Sequence, residues 1–143
     1  MATGNLGSLT FLNLNSTPIE SDDIKALVNG NLVNLTSLAL TNTWIKDKAA
    51  KELANGNLEN LTFLDLSCNE IGSEGAKALA NGNLTRLMSL YLGRNKVGDE
   101  GAKAFITRNL KSLALLDLHW NGISPDVAEL LRSELKSIKK LYL

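Results

Sequence analysis

The chain has 143 residues, which implies a single domain spanning 1–143, and its 15 basic and 15 acidic side chains cancel to a formal net charge of zero. That balance excludes the basic face of a dedicated nucleic-acid binder, and hydrophobic residues at 44% with aromatics at only 5% call for an aliphatic, layered core. No apolar run reaches the roughly 20 residues that span a bilayer, Met1-Ala-Thr-Gly-Asn-Leu6 lacks the regions of a cleavable signal peptide, and a lone Cys68 fits a reducing, cytoplasmic compartment.

Taken in sequence order, the elements recur with a period of 26 residues. The triplet Leu9, Leu12, Leu14 returns as Leu35, Leu38, Leu40, then as Leu61, Leu64, Leu66, as Leu87, Leu90, Leu92 and as Leu113, Leu116, Leu118. A last copy, Ile138, Leu141, Leu143, arrives one residue early. Such self-similarity marks a solenoid, in which each unit buries its apolar face against its neighbours. Each unit is predicted to open with a short strand, starting near 9, 35, 61, 87, 113 and 138. Residues two apart in a strand share a face, so Leu64 and Leu66 point inward while Phe63 and Asp65 point outward.

A polar column follows the strands at Thr17, Thr43, Asn69, Asn95 and Asn121. Asparagine both donates and accepts, so stacked copies can form a ladder that satisfies buried turns. Two residues on come Ile19, Ile45, Ile71, Val97 and Ile123, and then a helix. Ser73 and Asp99 are the predicted N-caps, and in the fifth unit Ser124 takes that role with Pro125 in the first helical turn. Small residues (Ala50, Ala76, Ala102, Ala128) alternate at helical spacing with large ones (Leu27, Leu53, Leu79, Phe105, Leu131), which turns one helix face to the sheet. Gly30, Gly56 and Gly82 are expected to cap three helix ends.

These residues fit the pattern L-x-x-L-x-L-x-x-N-x-I followed by a helix, and the protein resembles leucine-rich-repeat proteins from about Leu9 to Leu143. The helical segments Gly75-Ala-Lys-Ala-Leu-Ala80 and Gly101-Ala-Lys-Ala104 resemble the ribonuclease-inhibitor-like subclass, and more closely the GALA-type repeats of bacterial effectors. The resemblance implies an α/β, right-handed solenoid of about five and a half repeats, bent into a horseshoe arc. Its parallel sheet would line the concave face and its helices the convex face. It also implies a non-catalytic protein-interaction module, either cytoplasmic or delivered into a host cell by a secretion system. The stretch before Leu9 is too short for the F-box that some GALA proteins carry, so a ligase-adaptor role is not carried over.

The expected partner site is on the outward strand positions. Tyr and Arg with Trp are the residue types enriched at binding hot spots, and Tyr91, Arg94 and Trp120 fall in adjacent units, flanked by Asp65, Asp117 and His119. The competing reading is that these aromatics are ordinary exposed surface. His119, the only histidine, can pair with Asp117, but no nucleophile with an oxyanion site accompanies it, and an open sheet does not exclude water. Cys68 is two units from Trp120, about 10 Å by strand spacing, beyond hydrogen-bond reach of the histidine. No His/Cys spacing suits zinc, and no cofactor motif is present.

Lys25, Lys51, Lys77 and Lys103 form one helical row. Asp22, Glu74 and Glu100 stand three positions before three of them, so the row is expected to be a solvated surface of local ion pairs. Two function classes remain. One is a partner-binding module. The other is a structural or designed consensus scaffold, suggested by the near-identity of Ala54-Asn-Gly-Asn-Leu58 and Ala80-Asn-Gly-Asn-Leu84. Unit-to-unit variation at the outward positions favours the module. The last strand, at Leu141-Tyr-Leu143, has no polar cap, which predicts a monomer or a weak end-to-end associator.

Overall fold

A computed structural model describes residues 6–107 and 109–143. The six strands are β1 (Phe11–Asn13), β2 (Ser37–Ala39), β3 (Phe63–Asp65), β4 (Ser89–Tyr91), β5 (Leu115–Asp117) and β6 (Lys140–Tyr142). They form one parallel sheet in sequence order. The helices between them are α1 (Ser21–Val28), α2 (Asp47–Asn55), α3 (Ser73–Asn81), α4 (Gly98–Lys103) and α5 (Pro125–Glu134), with a 3-10 turn, Ala104–Thr107, extending α4. This is the α/β solenoid that the 26-residue period predicts.

Register follows the leucines. Leu12, Leu38, Leu64, Leu90, Leu116 and Leu141 are direct partners across the sheet, so the early arrival of the last copy is absorbed without a slip. The regular strands open two residues later than the leucines at 9, 35, 61, 87 and 113. Those leading leucines instead close a tight turn, as in Leu61 N–H donating to Leu58 O at 3.0 Å. Pairing continues past each strand: Leu66 N–H donates to Tyr91 O at 2.8 Å and Cys68 N–H to Gly93 O at 2.9 Å.

The core is the stack of leucine columns. Leu38, Leu64, Leu90 and Leu116 are fully buried, as are Leu40, Leu66, Leu92 and Leu118. The equivalent residues of the outer units, Leu12, Leu14, Leu141 and Leu143, are only partly buried. Beneath the sheet the asparagine ladder forms. Asn95 Nδ2 donates to Leu66 O and Leu92 O, at 2.9 and 3.0 Å, while its Oδ1 accepts from Ile71 N–H at 2.9 Å. Asn121 repeats this with Leu92 O, Leu118 O and Val97 N–H. Each asparagine thus closes its own turn and clasps the preceding one. Among the described residues no buried side-chain polar atom lacks a partner.

The helix ends correct two expectations. Ser73 and Asp99 are not N-caps; Ser73 is the first residue of α3 and Asp99 lies inside α4. The start of α3 is served by the preceding unit, where Asp47 Oδ1 accepts from Gly72 N–H at 2.7 Å and Gly75 N–H at 3.0 Å. Asp99 likewise accepts from Ser124 N–H of the following unit at 2.8 Å. Ser124 does cap α5 as predicted, accepting from Val127 N–H. A carboxylate at a helix N-terminus also meets the positive end of the helix dipole. Gly56 and Gly82 are the C-cap residues of α2 and α3 as expected, in extended backbone, whereas α1 is capped by Asn29, one residue before Gly30. The reason for glycine at 56 and 82 is proximity. A Cβ on Gly56 would stand 2.4 Å from Val28 Cβ, and one on Gly82 would stand 2.4 Å from Ala54 O.

The inter-unit cap at Asp99 makes stability depend on acid. The Ser124 backbone N–H, then the Ser124 side chain, hold the Asp99 carboxyl below its usual 3.8. A carboxyl depressed in the folded state stabilises it above its unfolded pKa, and that contribution is lost as pH falls through the lower folded value. Asp99→Ala is therefore expected to lower the melting temperature at neutral pH and to flatten its decline on acidification. Parallel melting curves for wild type and variant across the carboxylate range check this; identical acid limbs would reject it.

Candidate functional site

Two outward rows cross the sheet. One reads Phe11, Ser37, Phe63, Ser89, Leu115, Lys140, and the other Asn13, Ala39, Asp65, Tyr91, Asp117, Tyr142. Strand register thus places Tyr91 directly between Asp65 and Asp117, with Tyr142 beyond. The Tyr91 ring lies 5.5 Å from that of Phe63, tilted by 46°, a favourable aromatic geometry. Burial, then the neighbouring Tyr142, Asp65 and Asp117, push the Tyr91 phenol above its usual 10.0. It therefore stays neutral and able to donate a hydrogen bond at physiological pH.

The two aspartates have local structural duties. Asp65 Oδ1 accepts from Ser67 N–H at 2.9 Å, and Asp117 Oδ1 accepts from His119 N–H at 3.0 Å, both closing Asx turns. Asp117 also pairs with His119 Nδ1, as the sequence allows, and is 8% exposed. The imidazole lies across the neighbouring strand at Gly93, where a Cβ would come within 2.3 Å of His119 Cε1. Glycine at 93 is therefore the seat of the histidine ring. Its missing side chain also means that the position beside His119 offers no nucleophile.

Arg94 and Trp120 are placed differently from the four others. They belong to a column of left-handed residues, Ser16, Asn42, Cys68, Arg94 and Trp120, with φ between 56° and 59°. Arg94 and Trp120 lie just past the ends of β4 and β5, at the rim of the sheet, where backbone pairing still continues with Arg94 N–H donating to His119 O at 2.8 Å. Trp120 is 76% exposed. Left-handed backbone costs an L-residue roughly 1–2 kcal/mol, so Trp120→Gly is expected to stabilise the fold by up to about 1 kcal/mol after glycine's own entropic cost. Urea melts that show a loss of stability would mean the indole packs in solution.

Sequence reasoning misses two residues. Tyr142 joins the second row, a position the early arrival of Leu141 and Leu143 already implies. Trp44 is 69% exposed at φ 66° and lines a groove with Pro18, Ile19, Asp22 and Lys48. Its signal is weak, because its column otherwise holds Pro18, Glu70, Lys96 and Gly122. On the helical side, Lys77 pairs with Glu74 and Lys103 with Glu100, each at 3.0 Å. Asp22, however, reaches across units to Lys48 at 3.2 Å, not to Lys25. Among the described residues, no group of three or more His, Cys, Asp and Glu is arranged to hold a metal ion, and no helix is long and apolar enough to cross a membrane.

Three stretches, 31–54, 57–80 and 83–105, match the Leucine Rich repeat family. No curated protein sequence matches this one significantly. Among solved structures, the tropomodulin C-terminal domain of Caenorhabditis elegans is similar, with TM-score 0.72, 16% identity, and coverage of 93% of this protein and 86% of that one. Leiomodin-1 actin-binding site 2 gives TM-score 0.71, 19% identity and coverages of 94% and 83%. At these identities the likeness concerns the fold alone. A Leptospira interrogans leucine-rich-repeat protein is 26% identical with TM-score 0.59, over 94% of this protein and 31% of that one. An internalin from Listeria monocytogenes is 25% identical with TM-score 0.54, over 96% and 43%. The 143 residues span less than half of either bacterial protein.

Proposed function

From the premise that this is a leucine-rich-repeat protein, we propose that it is a non-catalytic module that docks a protein partner on its sheet face between β3 and β6. The observation that carries this reading is the aromatic row. Tyr91, packed at a tilt against Phe63 and flanked by Asp65 and Asp117, lies in the outward row beside Tyr142, with Trp120 exposed at the rim. In this reading Tyr91 and Trp120 anchor the partner, Arg94 adds a rim charge, and Asp65, Asp117 and His119 set orientation. Nothing in this arrangement calls for a cofactor.

Truncating a hot-spot aromatic typically costs about 2 kcal/mol of binding, roughly thirtyfold in affinity. Affinity capture by the double variant Tyr91→Ala with Trp120→Ala should lose the partner, while the melting curve stays cooperative. Lys51→Ala with Lys77→Ala should retain it. Capture lost on the lysine changes and kept on the aromatic ones would move the site to the helices. A protein that captures nothing specific in any form would favour the scaffold reading.

The finer assignment is a bacterial effector or a fragment of one, with GALA-like repeats of the ribonuclease-inhibitor-like subclass, cytoplasmic or delivered into a host cell. It is supported by the Gly75-Ala-Lys-Ala-Leu-Ala80 type of helix and by the likeness to bacterial leucine-rich-repeat structures. A translocation reporter fused to the protein tests delivery; a signal confined to the producing cell rejects it. For assembly, the partly buried Leu12, Leu14, Leu141 and Leu143 support weak end-to-end association. Sedimentation that stays monomeric at high concentration would reject that.

A further inference from the structure

Four Asn-Gly pairs occur in the sequence: Asn29-Gly30, Asn55-Gly56, Asn81-Gly82 and Asn121-Gly122. Asn-Gly is chemically reactive. The glycine backbone nitrogen, on losing its proton, attacks the asparagine Cγ. A new bond forms between that nitrogen and Cγ, the bond from Cγ to the carboxamide nitrogen Nδ2 breaks, and ammonia leaves. Water then opens the succinimide ring to aspartate or isoaspartate. No oxidant or cofactor is needed, and a following glycine has no Cβ to obstruct closure. By sequence the four sites are equivalent.

The fold separates them. Asn121 is 4% exposed, and its side chain accepts from Val97 N–H and donates to Leu92 O, Leu118 O and His119 O. Asn81 donates to Lys77 O at 2.8 Å while its Oδ1 accepts from Thr107 and Asn109, at 3.2 and 3.0 Å. Asn55, the last residue of α2, donates to Lys51 O at 2.9 Å. In each case the carboxamide must release those bonds before Cγ can swing onto the next nitrogen. Asn29 differs. It lies beyond the end of α1, is exposed, and its side chain makes no hydrogen bond among the described residues. Only one bond, Gly30 N–H to Leu27 O at 3.1 Å, restrains the attacking nitrogen. Helix ends open at little cost.

We propose that Asn29 is a site of spontaneous deamidation in the folded protein, and that the other three Asn-Gly pairs are protected until their units unfold. The product places a carboxylate at the C-terminal end of α1, where the helix dipole disfavours it. The isoaspartyl form also lengthens the backbone next to Val28, whose Cβ is the atom that a side chain on Gly56 would strike. Modification at 29 would therefore loosen the first unit from the second.

Purified protein aged at mildly alkaline pH, natively and in concentrated urea, tests this by peptide mapping. In the native sample, conversion at Asn29 should exceed that at Asn55, Asn81 and Asn121 by about tenfold or more, because at Asn29 only the fraying helix end, and no side-chain hydrogen bond, has to open. In urea all four should convert at comparable rates. Asn29→Ser should abolish the native acidic charge variant, whereas Asn55→Ser should leave it. Native conversion spread evenly over the sites, or absent at Asn29 while the denatured protein is modified there, overturns the proposal.

Discussion

Asn69→Ala is expected to destabilise the protein by about 3–5 kcal/mol, since each buried backbone group left without a partner costs roughly 1–3 kcal/mol. Its Oδ1 accepts from the N–H groups of Thr43 and Ile45, both at 3.0 Å, and Ile45 is fully buried. Its Nδ2 donates to Leu40 O at 2.8 Å and Leu66 O at 3.0 Å. Asn95 and Asn121 each hold a single backbone N–H, Ile71 and Val97. Asn69 should therefore be the most sensitive position of the ladder. Aspartate is no rescue, because it would point a carboxylate oxygen at two carbonyls. Chemical denaturation reads the effect as a shift in midpoint at unchanged slope. A loss below about 1 kcal/mol would mean that water enters and replaces the amide.

Leu90→Ala should cost about 2–5 kcal/mol, the range for leucine truncation in a packed core. The side chain is fully buried in β4, with Leu64 and Leu116 as its direct neighbours across the sheet. Neither neighbour is free to collapse into the cavity, since each is held in its own strand. Leu141→Ala, in the partly buried outer unit, should cost clearly less. Equal losses at the two positions would contradict the layered core. Lys77→Ala, which removes only an exposed pair with Glu74, serves as the control that should leave the melting curve unmoved.

The architecture is legible in the sequence because it depends on residue type at a fixed spacing. Leucine columns, the asparagine ladder and the one-residue offset of the last unit all follow from side chains that repeat. Features set by backbone geometry are not legible in the same way. The left-handed column contains Ser16, Asn42, Cys68, Arg94 and Trp120, which share no chemistry; they share a place just past the ends of the strands. The caps elude the sequence for a related reason. Spacing within one unit makes Asp99 a local cap, yet it and Asp47 both serve the following unit. In the candidate site, alternation places Asp65, Tyr91 and Asp117 in one row, but it carries Arg94 and Trp120 onto a strand that has already ended. The tether of Asp117 to His119, and the seat that Gly93 provides, require knowledge of the adjacent strand.

The ladder bonds that join one unit to the next span a fixed pair of sequence separations. The ladder bonds connect Asn95 to Ile71 and Leu66, and Asn121 to Val97 and Leu92, at separations of 24 and 29 residues in both cases. Excising one period from the interior would therefore present each remaining core leucine with a neighbour of the same kind, in the same register. The molecule's length is adjustable in whole units, with a step of 26 residues wherever the ladder sets it, because a remainder placed between two ladder asparagines would aim the second at the wrong turn. Evolution or a designer could lengthen the sheet strand by strand without re-solving the fold.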